Sequence, residues 1–151
     1  MSELYNKLAS DMKSAMISKD KETLSTLRLL KSSIDLYKIN NKLEDVTDEI
    51  VIDIASKQVK THRESIIEFT RGGREDLVDN LKKEIEILSS YLPKQLTEEE
   101  IKEELNKIFE SVKPTSKQDM GKIMKEVSVV LRGKADMKMV SEIVNEKINS
   151  L

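Results

Sequence analysis

Basic side chains gather near the carboxyl end of this chain, where their spacing would let several of them meet phosphate groups. Between Lys113 and Val140 the sequence holds seven basic and three acidic residues, whereas Lys94 to Val112 holds three basic and six acidic residues. Cations clustered around a turn can neutralise nucleic-acid phosphates and release their counterions. The basic segment contains no aromatic residue, which disfavours stacking on single-stranded bases. An ordinary lysine-rich surface is the alternative interpretation.

Conventional catalytic groups are sparse. The sequence contains no Cys and one His, so thiolate chemistry, disulfides, a multi-histidine metal centre and a Ser-His-Asp triad are all disfavoured. His62 lies on an apolar stripe, which predicts a hydrogen-bonded interface residue; a general base beside Glu64 or Glu68 is the alternative. The many carboxylates alternate with lysines, and this pattern is typical of a helix surface exposed to solvent. We therefore expect no catalytic residue, no metal and no cofactor.

The four glycines do not form a phosphate-binding motif. Neither G-x-G-x-x-G nor G-x-x-x-x-G-K occurs, so nucleotide-dependent chemistry is unsupported. Gly72-Gly73 predicts a helix end and a tight turn, with an anion site at the following helix start as the less favoured alternative.

The elements that must position these residues are helices. Apolar residues recur at intervals of three and four along the whole chain, and few Gly and Pro residues interrupt them, which predicts an all-α fold. Four helices are expected in the first part, over about residues 3–18, from an Asp20 cap to about residue 40, from a Thr47 cap to Gly72, and over about residues 74–91.

Leu92-Pro93 is the predicted domain boundary, because Pro93 lacks an N–H and restricts the residue before it. It divides an N-terminal helical bundle, residues 1–92, from a smaller C-terminal domain of three helices, residues 93–151. Thr97 and Glu100 predict a capping box at the start of helix five. Helix six is expected over about residues 117–131, and helix seven from an Asp136 cap to an inward-facing Leu151.

Charge and hydropathy limit the compartment and the partners. The formal charge of −2 excludes a polyanion and a strongly basic nucleic-acid binder. The amino terminus lacks the pattern of a signal peptide, and no run approaches the roughly 18 apolar residues of a membrane span. These features favour a cytoplasmic protein that does not engage a membrane.

Several short motifs, in order along the chain, resemble the YqeY family over essentially the full length. They are Asp11-Met-Lys-Ser-Ala-Met16, Leu27-Arg-Leu-Leu30, Gly73-Arg-Glu-Asp-Leu77, Tyr91-Leu-Pro-Lys-Gln-Leu96, Met120-Gly-Lys-Ile-Met124 and Arg132-Gly-Lys-Ala-Asp136. The carboxyl-terminal part is similar, through that family, to the tail domain of GatB, a component of the tRNA-dependent amidotransferase. The chain departs from the family pattern at Val129-Val130, where a Pro and a basic residue are common, so helix six should run straight.

The resemblance implies a non-catalytic module that binds tRNA or associates with a tRNA-processing enzyme. A protein–protein adaptor without an RNA role is the alternative, and carbon–nitrogen ligase activity with glutamine as amido donor follows from the family label alone. The implied RNA-facing positions are Gly121, Lys122, Arg132, Gly133, Lys134 and Lys138. Of these, Gly121 could instead serve close helix packing.

Overall fold

A computed structural model describes residues 2–150, and within that range it contains helices and no strand. The predicted all-α class is confirmed. The helices are α1 Glu3–Ile17, α2 Lys21–Asn40, α3 Asp48–Arg71, α4 Glu75–Ser89, α5 Glu98–Val112, α6 Met120–Leu131 and α7 Met137–Asn149, with a 3₁₀ turn at Lys117–Asp119 before α6.

Contacts between residues divide the chain into two compact units, Met1–Pro93 and Lys94–Leu151. This division falls one residue after the predicted boundary. The two-domain organisation stays a prediction.

The first unit is a bundle of α1 to α4 around one apolar core. Each helix buries a stripe of residues spaced three and four apart, as an amphipathic helix does. The fully or almost fully buried members of the core are Leu8, Leu27, Leu30, Ile34, Val46, Val51, Ala55, Val59, Leu88 and Tyr91, of which Val46 precedes α3 and Tyr91 follows α4.

The second unit has its own core between α5, α6 and α7. Each helix contributes three buried side chains at intervals of three and four: Ile101, Leu105 and Ile108; Ile123, Val127 and Leu131; and Val140, Val144 and Ile148. The inward position predicted for Leu151 lies outside the described residues.

Most helix ends lie where the capping residues predict them. Asp20 and Thr47 accept hydrogen bonds from the third backbone N–H after them, at 3.1 and 3.3 Å. Thr97 and Glu100 form the complete capping box that the sequence predicts. Asp136 accepts from the Lys138 N–H at 3.0 Å and so caps α7. These side chains satisfy N–H groups that a helix start otherwise leaves without partners.

Two predicted boundaries are wrong by a few residues. The fourth helix was expected to reach Tyr91, but α4 ends at Ser89. The chain continues there as tighter turns, in which Tyr91 N–H donates to the Leu88 carbonyl at 3.0 Å. The sixth helix was expected from Lys117, but that residue opens a 3₁₀ turn and α6 begins at Met120. Apolar periodicity does not distinguish a 3₁₀ turn from the first turn of an α-helix.

Gly72-Gly73 ends α3 as predicted. Gly73 adopts a positive φ of 73°, and the Arg74 N–H beyond it donates to the Phe69 carbonyl at 2.9 Å. A left-handed residue of this kind turns the chain back on the last helical carbonyls.

Candidate nucleic-acid interface

The turn between α6 and α7 carries three of the predicted basic residues. Arg132 and Lys134 are exposed within it, and Lys138 is exposed in the first turn of α7. Gly133 lies between the first two with a φ of +74°, a left-handed conformation that suits glycine. The structure therefore places Arg132, Gly133, Lys134 and Lys138 on one short surface segment, which we call the basic turn.

Hydrogen bonds hold the basic turn against the segment before α5. Leu96 N–H donates to the Lys134 carbonyl at 2.9 Å, and the Gln95 side-chain amide donates to the Gly133 carbonyl at 2.6 Å. Within the turn, Lys134 N–H donates to the Leu131 carbonyl at 2.9 Å. The backbone of the turn is therefore fixed, while the exposed Lys134 side chain has no partner among the described residues.

Lys94 joins this surface, although no sequence pattern identified it as a site residue. It is exposed and directly precedes Gln95, whose side chain reaches Gly133 from 38 positions away in the sequence. Local patterns cannot predict so distant a pairing, and by sequence Lys94 belongs to the acidic segment. The only available signal was that Lys94-Gln95-Leu96 and the basic turn both belong to the motifs that carry the family resemblance.

Gly121 and Lys122 lie at the other end of α6. Ten residues separate Lys122 from Arg132, which corresponds to about 15 Å along a helix axis. The structure thus divides the predicted interface into the basic turn and a separate position at Lys122. The Lys122 side chain is 77% exposed, with its ammonium 4.0 Å from an Asp119 oxygen. A Cβ on Gly121 would meet no atom within 4 Å, so the structure does not support the helix-packing alternative for this glycine.

The electrostatics of α6 and α7 differ from those of the other helices. Each of α1 to α5 has at least one acidic residue in its first turn, where it complements the positive end of the helix dipole. Neither α6 nor α7 has one, and Lys122 and Lys138 occupy their first turns instead. A cation there adds to the positive potential of the free N–H groups and opposes helix stability by about 0.3–1 kcal/mol. These two lysines are placed unfavourably for the helices and favourably for an anion.

Nearby carboxylates accept hydrogen bonds from backbone N–H groups. Asp136, the one acid inside the turn, caps α7. Asp119 accepts from the Thr115 N–H at 2.8 Å, and this hydrogen bond is the main reason why the pKa of Asp119 lies below its usual value. The pKa of Glu100 is lowered chiefly by its backbone hydrogen bond with Thr97, with a smaller contribution from the charge of Lys94. Asp119 and Glu100 therefore remain ionised at neutral pH, and they only partly offset the basic charges.

His62 belongs to α3, and its side chain contacts α4 and not a carboxylate of its own helix. Its Nε2 is 2.9 Å from a Glu84 oxygen, and its side chain is 14% exposed. The predicted hydrogen-bonded interface residue is confirmed, and the partner is Glu84 of α4, not Glu64 or Glu68. Residues 2–150 contain no group of three or more potential metal ligands.

A second carboxylate cluster joins α1 to the end of α4. The buried Tyr91 hydroxyl donates to Asp11 at 2.5 Å, while the Lys7 ammonium is 2.9 Å from the same carboxylate and 3.9 Å from the centre of the Tyr91 ring. Burial raises the pKa of Asp11, but the hydrogen bonds from Tyr91 and Lys7 outweigh it and the net pKa is below its usual value. Burial, followed by the Asp11 contact, raises the pKa of Tyr91 well above its usual value.

This arrangement joins residues of two family motifs that are 80 positions apart. The hydrogen bond and the contact of Lys7 with the Tyr91 ring fix α1 against the segment that follows α4.

The chain belongs to the YqeY family: the family model described as "Yqey-like protein" matches residues 5–148. The predicted family is thereby confirmed over nearly the whole chain.

Several curated fungal proteins named "Altered inheritance of mitochondria protein 41, mitochondrial" are similar to this chain. The protein from Pyrenophora tritici-repentis is 31% identical over 147 residues, which cover 96% of this chain and 78% of that protein. The protein from Clavispora lusitaniae is 30% identical over 128 residues, covering 83% and 74%. The protein from Kluyveromyces lactis is 36% identical over 84 residues, 56% of this chain, and the match spans only 45% of that relative's length.

The expectation of a cytoplasmic protein is contradicted by these comparisons, because the relatives are named as mitochondrial proteins. That expectation was based only on the lack of a secretory signal pattern and of a long apolar run. Neither feature distinguishes one aqueous compartment from another. None of the helices within residues 2–150 has the length and apolar character needed to cross a membrane.

Proposed function

We propose that this chain is a non-catalytic RNA-binding module that contacts the phosphates of a tRNA, by itself or in association with a tRNA-processing enzyme. The basic turn, with Lys94 beside it, forms the main contact, and Lys122 forms a second contact along α6. The observation that carries the proposal is the charge of the first turns of α6 and α7, which present lysines after the acidic N-caps Asp119 and Asp136, where the other helices present acids.

The chemistry of this surface supports phosphate contact more than base reading. Its functional groups are ammonium and guanidinium ions, which position a protein on a nucleic-acid backbone without specifying sequence. The distance of about 15 Å along α6 between the two contacts spans more than one phosphate of a strand, so both contacts can act together. Affinity should therefore be modest and strongly dependent on salt.

Measurement of tRNA binding against salt concentration tests this proposal. The parent chain should lose affinity steeply between about 50 and about 200 mM salt, because each phosphate contact contributes about 0.7–0.9 to the logarithmic slope. A triple variant, Arg132→Ala, Lys134→Ala and Lys138→Ala, should reduce the slope by about 2–3. Lys122→Ala alone should reduce it by about one.

The matched control removes lysines that already have acidic partners on α5. Lys102 lies 3.4 Å from Glu98, and Lys107 lies 3.4 Å from Glu104. The variant Lys102→Ala, Lys107→Ala removes nearly as much charge as the triple variant but leaves the basic turn intact, so its slope should match that of the parent. Equal slopes for the parent and the triple variant would refute the proposal.

A further inference from the structure

An open groove runs along the first unit between α2 and α3. On the α2 side it is lined by Leu29, Leu36 and Tyr37, which are 57%, 58% and 42% exposed. On the α3 side it is lined by Ile54 and Gln58, and the groove encloses about 480 Å³. The buried stripe of α2 faces the core, so these residues form a second apolar stripe on the same helix. Exposed apolar side chains that line one groove offer a partner a surface to bury.

A smaller, polar cavity continues the groove. It encloses about 320 Å³ between α2, α3 and α4, and it shares Leu29, Gln58 and His62 with the apolar part. Arg28 and Glu84 also line it, and Glu84 is already paired with His62 at 2.9 Å. The apolar groove therefore ends in a pocket that has an available cation but no available anion.

The polar groups that lack partners define what the groove would accept. Lys57 on the rim and Arg28 in the polar pocket form no ion pair with any described residue. The Gln58 side-chain oxygen is buried without a hydrogen-bond partner, although its amide nitrogen donates to the Ser33 hydroxyl at 2.9 Å. A buried acceptor of this kind is costly unless a donor reaches it. An occupant should bring negative charge and at least one hydrogen-bond donor.

We propose that this groove binds an acidic amphipathic helix of a partner protein. From Leu29 to Asn40 the lining of α2 extends about 16 Å, the length of about three helical turns. A helix with apolar residues at i, i+3 or i+4 and i+7 covers a trough of this length with one face. Acidic residues beside that face would meet Lys57 and Arg28. The proposal is independent of RNA binding by the basic turn, since none of its residues belongs to that turn.

Two other occupants fit the groove less well. In a symmetric pair of copies the same surface meets itself, which would bring the unpaired cations of both copies together. Nucleic-acid phosphates would suit Lys57 and Arg28 but would leave Leu36 and Tyr37 facing charged, hydrated groups. A partner helix with acidic flanks satisfies both parts of the lining.

A displayed peptide library on the full chain tests the proposal. Peptides of about 14 residues carry apolar side chains at helical spacing and random residues elsewhere. The selected peptides should be enriched in Asp and Glu. Fluorescence anisotropy on a selected peptide should show a loss of about tenfold or more with Leu36→Asp and a smaller loss with Lys57→Glu.

Ile67→Asp is the matched control, because Ile67 lies on α3, is 54% exposed and does not line the groove. Its affinity should equal that of the parent, and circular dichroism should show that both Asp variants remain folded. The proposal is overturned if no peptide is selected, if the selected peptides are basic, or if Leu36→Asp leaves binding unchanged. It is equally overturned if Leu36→Asp dissociates a dimer or abolishes tRNA binding, since the occupant would then be a second copy or RNA.

Discussion

Replacement of Tyr91 by Phe isolates the hydroxyl group that joins the segment after α4 to α1. Phe keeps the buried ring and the contact of the Lys7 ammonium with its face, at 3.9 Å from the ring centre. It removes only the 2.5 Å hydrogen bond to Asp11. The variant therefore measures a single charge-assisted hydrogen bond.

The expected loss of stability is at the lower end for such bonds. A hydrogen bond to a charged group contributes about 1.5–3 kcal/mol when its loss leaves the charge buried. The Asp11 side chain is 40% exposed and keeps Lys7 at 2.9 Å, so water and Lys7 replace part of the lost interaction. We expect a decrease of about 1.5 kcal/mol in the free energy of unfolding, or about 6–12 °C in Tm for a unit of this size.

The pH dependence gives a second, independent signature. The pKa of Asp11 is lowered on folding, so its contribution is present above the unfolded value of about 4 and is lost as the pH falls through the lower folded value. The pKa of Tyr91 is raised, so its contribution is present below the unfolded value of about 10 and decreases as the pH rises above that value. The stability difference between the parent and Tyr91→Phe should therefore be largest between about pH 5 and pH 9.

Tyrosine fluorescence during urea unfolding is a suitable assay. The chain has three Tyr and no Trp, and all three tyrosines belong to the first unit, so the signal reports on the bundle alone. Tyr37→Phe is the control, because the Tyr37 hydroxyl has no partner among the described residues and its loss should change stability by less than about 0.5 kcal/mol. Equal effects of the two Phe variants, or a pH-independent difference, would refute this account of the cluster.

The remaining predictions concern the second unit and can be measured by hydrogen exchange of its backbone amides. Gly133→Ala should weaken protection by about 1–2 kcal/mol, because its φ of +74° is strained for a residue with a Cβ. Gly121→Ala is the opposite case: the site is helical and open, so protection should rise by about 0.5–1 kcal/mol, and a loss there would contradict the assigned backbone. Thr97→Ala should remove about 1 kcal/mol from the first turn of α5 by breaking the capping box, and unchanged exchange of the Glu100 amide would show that the cap does not form in solution.

The sequence predicted local structure well because its causes are local. Apolar spacing and helix caps depend on residues that are close in sequence. The helix starts capped by Asp20, Thr47, Thr97 and Asp136 were therefore each predicted to within one turn. Periodicity was insufficient where a helix changes its winding, as at Lys117.

Contacts between distant segments could not be predicted in this way. Lys94 lies beside the basic turn because hydrogen bonds of Gln95 and Leu96 join positions 38 apart in the sequence, and the Tyr91–Asp11 bond spans 80 positions. The exposed stripe with Leu29 and Leu36 was also missed, because one apolar stripe traced along α2 identifies its core face but does not reveal a second apolar face.

The motifs that carry the family resemblance differ in what explains them. In the first unit, the structure explains the presence of Asp11, Leu27 and Tyr91. Leu27 and Tyr91 are buried in the core, and Asp11 accepts the hydrogen bond from Tyr91. In the second unit, the side chains of Lys134 and Lys138 bind nothing among the described residues, and Lys138 opposes the dipole of its own helix. Stability accounts for the first group. Phosphate contact under the proposed function would account for the second, because it would pair these lysines with negative charge on a turn whose backbone is fixed.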